Sequence, residues 1–115
     1  MQRAQDEPHF ELEVRQDADG RATIVVSGEI DMTTSAELRQ AVVDKLAEGD
    51  VLLDLRQATF MDSSGVAAID GALRAAEDGG GRLRVCEALH PNVRRILDLT
   101  GVAGMIEFEP CDDQA

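Results

Sequence analysis

The stretch Phe60-Met61-Asp62-Ser63-Ser64-Gly65-Val66 sets a carboxylate and two hydroxyls in a row, where an apolar run gives way to a helical pattern. Three kinds of chemistry suit such a row. The plainest is capping, since Asp and Ser are favoured N-cap residues and one side-chain oxygen accepting from a first-turn amide stabilises a helix by about 1 kcal/mol. Capping needs only one residue. A run of Asp62, Ser63 and Ser64, followed by a glycine at position 65 that lets the backbone turn sharply, leaves a hydroxyl uncovered at the start of the helix.

The second reading is a nucleophile. Serine hydrolases place their nucleophile between a strand and a helix, with glycines two residues to either side. Here Met61 precedes Ser63 by two and Gly65 follows it by two, so the elbow is half missing. His9 and His90 are the candidate bases, one near the N-terminus and the other at the start of a helical pattern. The third reading is covalent modification. A phosphoryl group on a serine at a helix N-terminus adds about −1.5 to −2 charges where unpaired amides and the helix dipole accept them, so the fold survives. A partner docking over that point would meet a dianion beside Asp62 and lose affinity.

The elements that must position this row follow from periodicity. Phe10 to Arg15 alternates apolar and polar residues as a half-exposed edge strand does, Asp19-Gly20 marks a hairpin turn, and Ala22 to Gly28 resumes as a more apolar strand predicted to be covered on both faces. Thr34 and Glu37 have the spacing of a capping box before a helix carrying Leu38, Val42 and Leu46 on one stripe, with Gly49 placed to end it. Val51 to Leu55 reads as a central strand buried on both faces. From Ser63 a second helix buries Val66, Ile69, Leu73 and Ala76 and shows Asp70, Arg74 and Glu77 to water. Gly79 to Gly81 has no Lys-Ser/Thr partner and reads as a turn, not a phosphate loop. The strand Arg82 to Cys86, a helix from Pro91 to Gly101 burying Val93, Ile96 and Leu97, and a short strand Met105 to Phe108 complete the order. The predicted fold is α/β: a β-hairpin followed by βαβαβ-type crossovers, giving a mixed sheet packed with helices. Leu53, Leu55, Ile69, Val85 and Ile96 are predicted to meet in its core.

The 115 residues suit one domain, with a core over about residues 8–109 and flexible ends. A net charge of −12, from 23 acidic against 11 basic residues, disfavours nucleic acid and anionic membrane as partners. Apolar runs stay far below the roughly 20 residues of a membrane span, so no membrane insertion and a cytoplasmic location are predicted. Cys86 and Cys111 have neither the number nor the spacing of a disulfide framework or a zinc site, and read as structural or incidental thiols.

Gly28 to Asp31 (Gly-Glu-Ile-Asp), Leu52 to Val66 and Gly81 to Val102 together resemble STAS domains of the anti-sigma factor antagonist type, over nearly the whole chain 1–115. The resemblance implies that Ser63 is phosphorylated by a partner serine kinase of the histidine-kinase-like ATPase fold, itself the anti-sigma factor. It implies further that the unphosphorylated chain binds this kinase and frees a sigma factor, and that a PPM-type, metal-dependent serine phosphatase restores the hydroxyl. ATP and magnesium would belong to the kinase, leaving this chain with no cofactor and no catalysis of its own. Asp62 would orient the motif, Ser64 and Gly65 would shape the helix entrance, and Glu29 and Asp31 would share the contact surface. Two features depart from the family's pattern: the residues after Phe108, where relatives often continue into a C-terminal helix, are few, acidic and interrupted by Pro110, and the second helix carries the small residues Ala67, Ala68 and Gly71. A stand-alone STAS adaptor subunit of a membrane transporter and, less in keeping with the residues, a serine hydrolase are the alternative readings.

Overall fold

The computed structural model describes residues 9–112. Strands β1 (Phe10–Gln16) and β2 (Ala22–Ile30) lead to helix α1 (Ser35–Leu46), strand β3 (Val51–Met61), helix α2 (Ser63–Glu77), strand β4 (Leu83–Cys86) and helix α3 (Pro91–Leu99). A 3-10 turn (Val102–Met105) and a two-residue strand β5 (Phe108–Glu109) follow. The sheet order is β1-β2-β3-β4-β5, antiparallel in the hairpin and parallel thereafter. The mixed α/β fold is therefore as predicted, with β1 at an edge.

Each parallel strand lies beside its predecessor, so crossovers of one hand put all three helices on one face of the sheet. The core is gathered there. Ile24, Val26, Leu53, Leu55, Ile69 and Val85 are almost wholly buried, joined by Leu38 and Val42 from α1 and Val93 and Leu97 from α3. Ile96, expected in the centre of the core, is only half-buried at its margin.

One-sided packing corrects the reading of β2. Its even-numbered residues are buried and its odd-numbered ones half-exposed, because no helix covers the second face. A strand can look uniformly apolar and still face partly outward when its outward residues are Thr23, Val25 and Ser27, which suit a half-solvated pleat.

β3 also runs longer than the apolar segment Val51 to Leu55 suggests, reaching Met61 directly before the serine motif. Eleven residues of β3 face nine of β2, and the difference is absorbed by register shifts between Val25 and Ser27 and between Gly28 and Glu29. Such bulges bend a strand and re-aim its end. Arg56, Gln57, Thr59 and Phe60 lie in this polar half of β3, whose mixed composition hid it from pattern reading.

The face without helices is charged and partly covered by the chain's own end. The Arg56 guanidinium donates from Nε to Asp54 Oδ1 at 2.9 Å and from Nη2 to Asp54 Oδ2 at 2.9 Å. Burial works against ionisation of Asp54, which is 7% exposed, yet the hydrogen bonds and charge of Arg56 outweigh it and hold the carboxyl below the ordinary aspartate range. Arg56 Nη1 also donates to the carbonyls of Cys111 and Asp112. Cys111 is joined to Cys86 by a disulfide, against the reading of two separate thiols. The reason is register: β4 and β5 pair Cys86 with Glu109, which brings a residue 25 positions away in sequence to within two residues of its partner. The start of the tail, expected to fray, is thereby tied down as far as Asp112, and no helix follows β5 within the described residues. The remaining ends, where flexibility was expected, fall outside them.

The last strand is likewise displaced. Met105 belongs to the 3-10 turn, and pairing begins only at Phe108.

Ile69→Ala should lower the free energy of unfolding by about 2–5 kcal/mol, since the side chain is 1% exposed among Leu53, Leu55 and Val85. Urea denaturation reads this as a lower midpoint, and an unchanged midpoint would contradict the packing described.

Candidate functional site

The carboxylate of Asp62 caps α2. Asp62 has extended backbone angles, and its Oδ1 accepts from the amides of Ser64 at 2.9 Å and Gly65 at 3.4 Å. Capping is thus satisfied without either serine. Ser63 stands at the first helical position, exposed, and its hydroxyl has no hydrogen-bond partner among the described residues. Ser64 is half-buried and lines a shallow groove between α1 and α2.

Gly65 serves a different purpose from the one its position suggests. It sits inside α2, not at a turn, and an added Cβ would collide with Met61 Cγ and stand 2.9 Å from Ile30 Cγ2. Its lack of a side chain lets the first turn of α2 lie directly on the ends of β2 and β3. The backbone conformation that needs a glycine is at Gly28 instead, inside β2 beside the register shift, where φ is +97° and an added Cβ would strike the His9 carbonyl. The Glu29 amide donates to that same carbonyl at 2.7 Å, fixing the chain as it enters the Glu29–Asp31 segment.

The two segments then meet. Parallel pairing sets Glu29 beside Phe60 and Ile30 beside Met61, and the Asp62 amide donates to the Ile30 carbonyl at 3.2 Å. Asp31 closes the loop before α1: its Oδ1 accepts from the Thr33 amide at 2.9 Å and the Thr33 hydroxyl at 2.8 Å. Those bonds from Thr33, side chain first and then backbone, hold the Asp31 carboxyl below the ordinary aspartate range. The capping box predicted at Thr34 and Glu37 does not form. The Thr34 hydroxyl turns back instead, accepting from the Asp31 amide at 2.9 Å and donating to the Glu29 carbonyl at 3.1 Å. The loop's need for a cross-brace wins over the helix's need for a cap.

All six residues singled out in the sequence, Glu29, Asp31, Asp62, Ser63, Ser64 and Gly65, are therefore brought to one end of the sheet. Three of them carry carboxylates, Asp62 next to the exposed hydroxyl in the chain and Glu29 and Asp31 on the adjoining segment. Two apolar side chains that sequence reading passed over join them, Met32 at 76% exposure and Phe60 at 44%. Phe60 was hidden because it follows the second bulge of β3; Met32, adjacent to Asp31, carried no periodic signal. Arg39 was missed as well. It lies across α2, with its Nε 2.7 Å from where a Cβ of Gly71 would stand, so the small residues Ala67, Ala68 and Gly71 make room for a cation over the groove.

His90 is the N-cap of α3, its Nδ1 accepting from the Asn92 amide at 3.1 Å, and no hydrogen bond joins a histidine to Ser63 or Ser64 among the described residues. No group of metal-ligating side chains is found among those residues. No described helix is long and apolar enough to cross a membrane.

The chain as a whole is similar to known proteins. The family model described as STAS domain matches residues 9–115. The anti-sigma F factor antagonist of Paenibacillus polymyxa is 33% identical over 86 residues, covering 72% of this chain and 73% of that protein. An anti-sigma factor antagonist from Mycobacterium paratuberculosis, solved by crystallography, is 30% identical with a TM-score of 0.71, covering 91% of this chain and 89% of that one. The anti-sigma factor antagonist SpoIIAA in its unphosphorylated form shares the fold, with a TM-score of 0.69 at 24% identity over 92% of this chain and 90% of that one. The Bacillus cell fate determinant SpoIIAA in its phosphorylated form shares it too, with a TM-score of 0.64 at 23% identity over 92% and 94%.

Asp62→Ala should destabilise the fold by about 0.5–2 kcal/mol through loss of the cap, while Asp62→Asn, which keeps an accepting oxygen, should retain most of that stability. Thermal and urea unfolding of the pair measure the difference. Equal loss in both variants would show that the carboxylate acts otherwise than as a cap.

Proposed function

The chain belongs to the STAS domain family, and from that premise we propose that it acts as an anti-sigma factor antagonist switched by phosphorylation of Ser63. The observation that carries the reading is the division of labour at the start of α2: Asp62 takes the capping bonds, and the Ser63 hydroxyl is left exposed and unbonded. A hydroxyl that holds nothing in place can be esterified without cost to the fold. The curated relative and the crystallographic neighbour, both named as antagonists of anti-sigma factors, support the same reading.

In this cycle the unphosphorylated chain docks on an anti-sigma serine kinase of the histidine-kinase-like ATPase fold, and a sigma factor is released. The kinase brings ATP and magnesium. The Ser63 oxygen attacks the γ-phosphorus, ADP departs, and the hydroxyl proton passes to a base of the kinase. The phosphoserine then sits at the N-terminus of α2, where the dipole tolerates it, but beside Asp62 and near Glu29 and Asp31. A kinase surface that fits three carboxylates meets up to two further negative charges, and the complex separates. A PPM-type serine phosphatase hydrolyses the ester and resets the switch. Asp62, Ser64, Gly65, Glu29 and Asp31 form the contact surface around Ser63. The chain is a substrate and ligand, not an enzyme, holds no cofactor, and works in the cytoplasm without nucleic acid or membrane insertion.

Incubation with the cognate kinase and ATP, followed by fragmentation mass spectrometry, should map one phosphate to Ser63. Ser63→Ala should bind the kinase and resist phosphorylation. Ser63→Glu should fold equally well and bind about 1–3 kcal/mol more weakly, a partial mimic because a carboxylate carries about one charge against the phosphate's near two. A phosphate on Ser64, Thr33 or Thr34 with Ser63 bare would overturn the assignment of the site. Recovery of the chain with a membrane transporter, and indifference of Ser63 to soluble kinases, would overturn the function in favour of an adaptor.

A further inference from the structure

Cys86 and Cys111 are not among the residues that the phosphorylation cycle uses. Cys86 ends β4 on the face without helices and is 1% exposed, while Cys111 follows β5 in the tail and is half-exposed, their Cα atoms 5.6 Å apart. What the pair fastens is slight by itself. β5 has only two residues, tied to β4 by the Val85 amide donating to the Glu107 carbonyl and the Glu87 amide donating to the Glu109 carbonyl, and to its neighbours by part-exposed ion pairs of Glu109 with Arg21 and Arg84 and by Phe108 under Arg94. The tail beyond it is held by the disulfide and by Arg56 Nη1 on the carbonyls of Cys111 and Asp112. Two residues of pairing and part-exposed ion pairs hold a strand weakly, so a covalent bond closing a 25-residue separation adds the constraint that keeps this end closed.

We propose that Cys86 and Cys111 form a reversible thiol–disulfide exchange site, with low-molecular-weight thiols and their disulfides as its substrates, that fastens and releases β5 and the tail. Cytoplasmic thiol pools hold most dithiols reduced, so in that compartment the bond closes when the pool is oxidised and opens when it recovers. The difference in exposure sets the order of events. In closing, the Cys111 thiolate attacks one sulfur of an external disulfide, forming a mixed disulfide and expelling one thiol. The Cys86 thiolate then attacks Cys111 Sγ and expels the second thiol. Two cysteine thiols and one external disulfide become one protein disulfide and two external thiols, with electrons and protons balanced. In opening, a thiolate attacks the accessible Cys111 Sγ and Cys86 leaves as the thiolate. A second thiol then resolves the mixed disulfide on Cys111 and restores its thiol.

The full chain, reduced with dithiothreitol, desalted and titrated with glutathione disulfide, should lose two hydrogens in intact mass with a Cys86–Cys111 peptide appearing after digestion. Cys86→Ser should trap a glutathione adduct on Cys111, whereas Cys111→Ser should form an adduct on buried Cys86 at least about tenfold more slowly. Hydrogen exchange of the reduced chain should be faster than that of the oxidised chain by about tenfold or more at Val85 and Glu87, and unchanged at Leu53 and Ile69. A chain that stays reduced in glutathione disulfide, equal adduct rates at the two cysteines, or exchange at Val85 and Glu87 that ignores the redox state would each overturn the proposal. None of these readouts involves Ser63, so they stand apart from the test of the phosphorylation cycle.

Discussion

The Asp62 carboxylate accepts from the amides of Ser64 and Gly65, and the arrangement of the site depends on that pair of bonds. A helix start has amides without partners, and some group must satisfy them. Had Ser63 supplied the oxygen, its hydroxyl would be committed to the fold and its modification would unwind the first turn. With Asp62 in that role, the adjacent hydroxyl is surplus to stability, and the same dipole that favours the carboxylate favours a phosphate beside it.

The contacts beneath the cap hold Asp62 at the end of the central strand. The Asp62 amide is anchored on the Ile30 carbonyl, Gly65 lets α2 rest on Ile30 and Met61, and the bulges of β3 bring its polar second half level with β2. Gly28 turns the β2 backbone against His9, and the Asp31–Thr33–Thr34 bonds brace the loop that follows. The segments around Ser63 are thus cross-braced by hydrogen bonds, and bracing of that kind lowers the ordering cost of docking on a surface. A switch that acts by adding charge, without moving backbone, suits such a surface.

The hairpin, the helix–strand alternation and the cores of α1 and α2 were legible because each follows a simple period, and Leu53, Leu55, Ile69 and Val85 are where that period puts them. The row of candidate residues was legible for another reason: Asp62 to Gly65 are contiguous, and the resemblance tied Glu29 and Asp31 to them. What escaped was set by contacts far apart in sequence. Coverage of β2 on one face alone depends on where three later helices pack, the length of β3 on bulges that break alternation, and the cysteine pairing on a β4–β5 register that a two-residue strand barely signals. Thr34 shows the local version of the same limit, since a capping-box spacing cannot reveal that the loop behind it makes the stronger claim on the hydroxyl.

The central claim is that modification of Ser63 changes the surface and leaves the fold alone. Amide spectra of the isotopically labelled chain, recorded before and after stoichiometric phosphorylation of Ser63, test it most directly. Shifts confined to Glu29–Thr34 and Phe60–Val66, with unchanged unfolding in urea, are the predicted result. Shifts spread through β4 and α3, or a fall in stability of more than about 1 kcal/mol, would show that the hydroxyl was holding the helix after all.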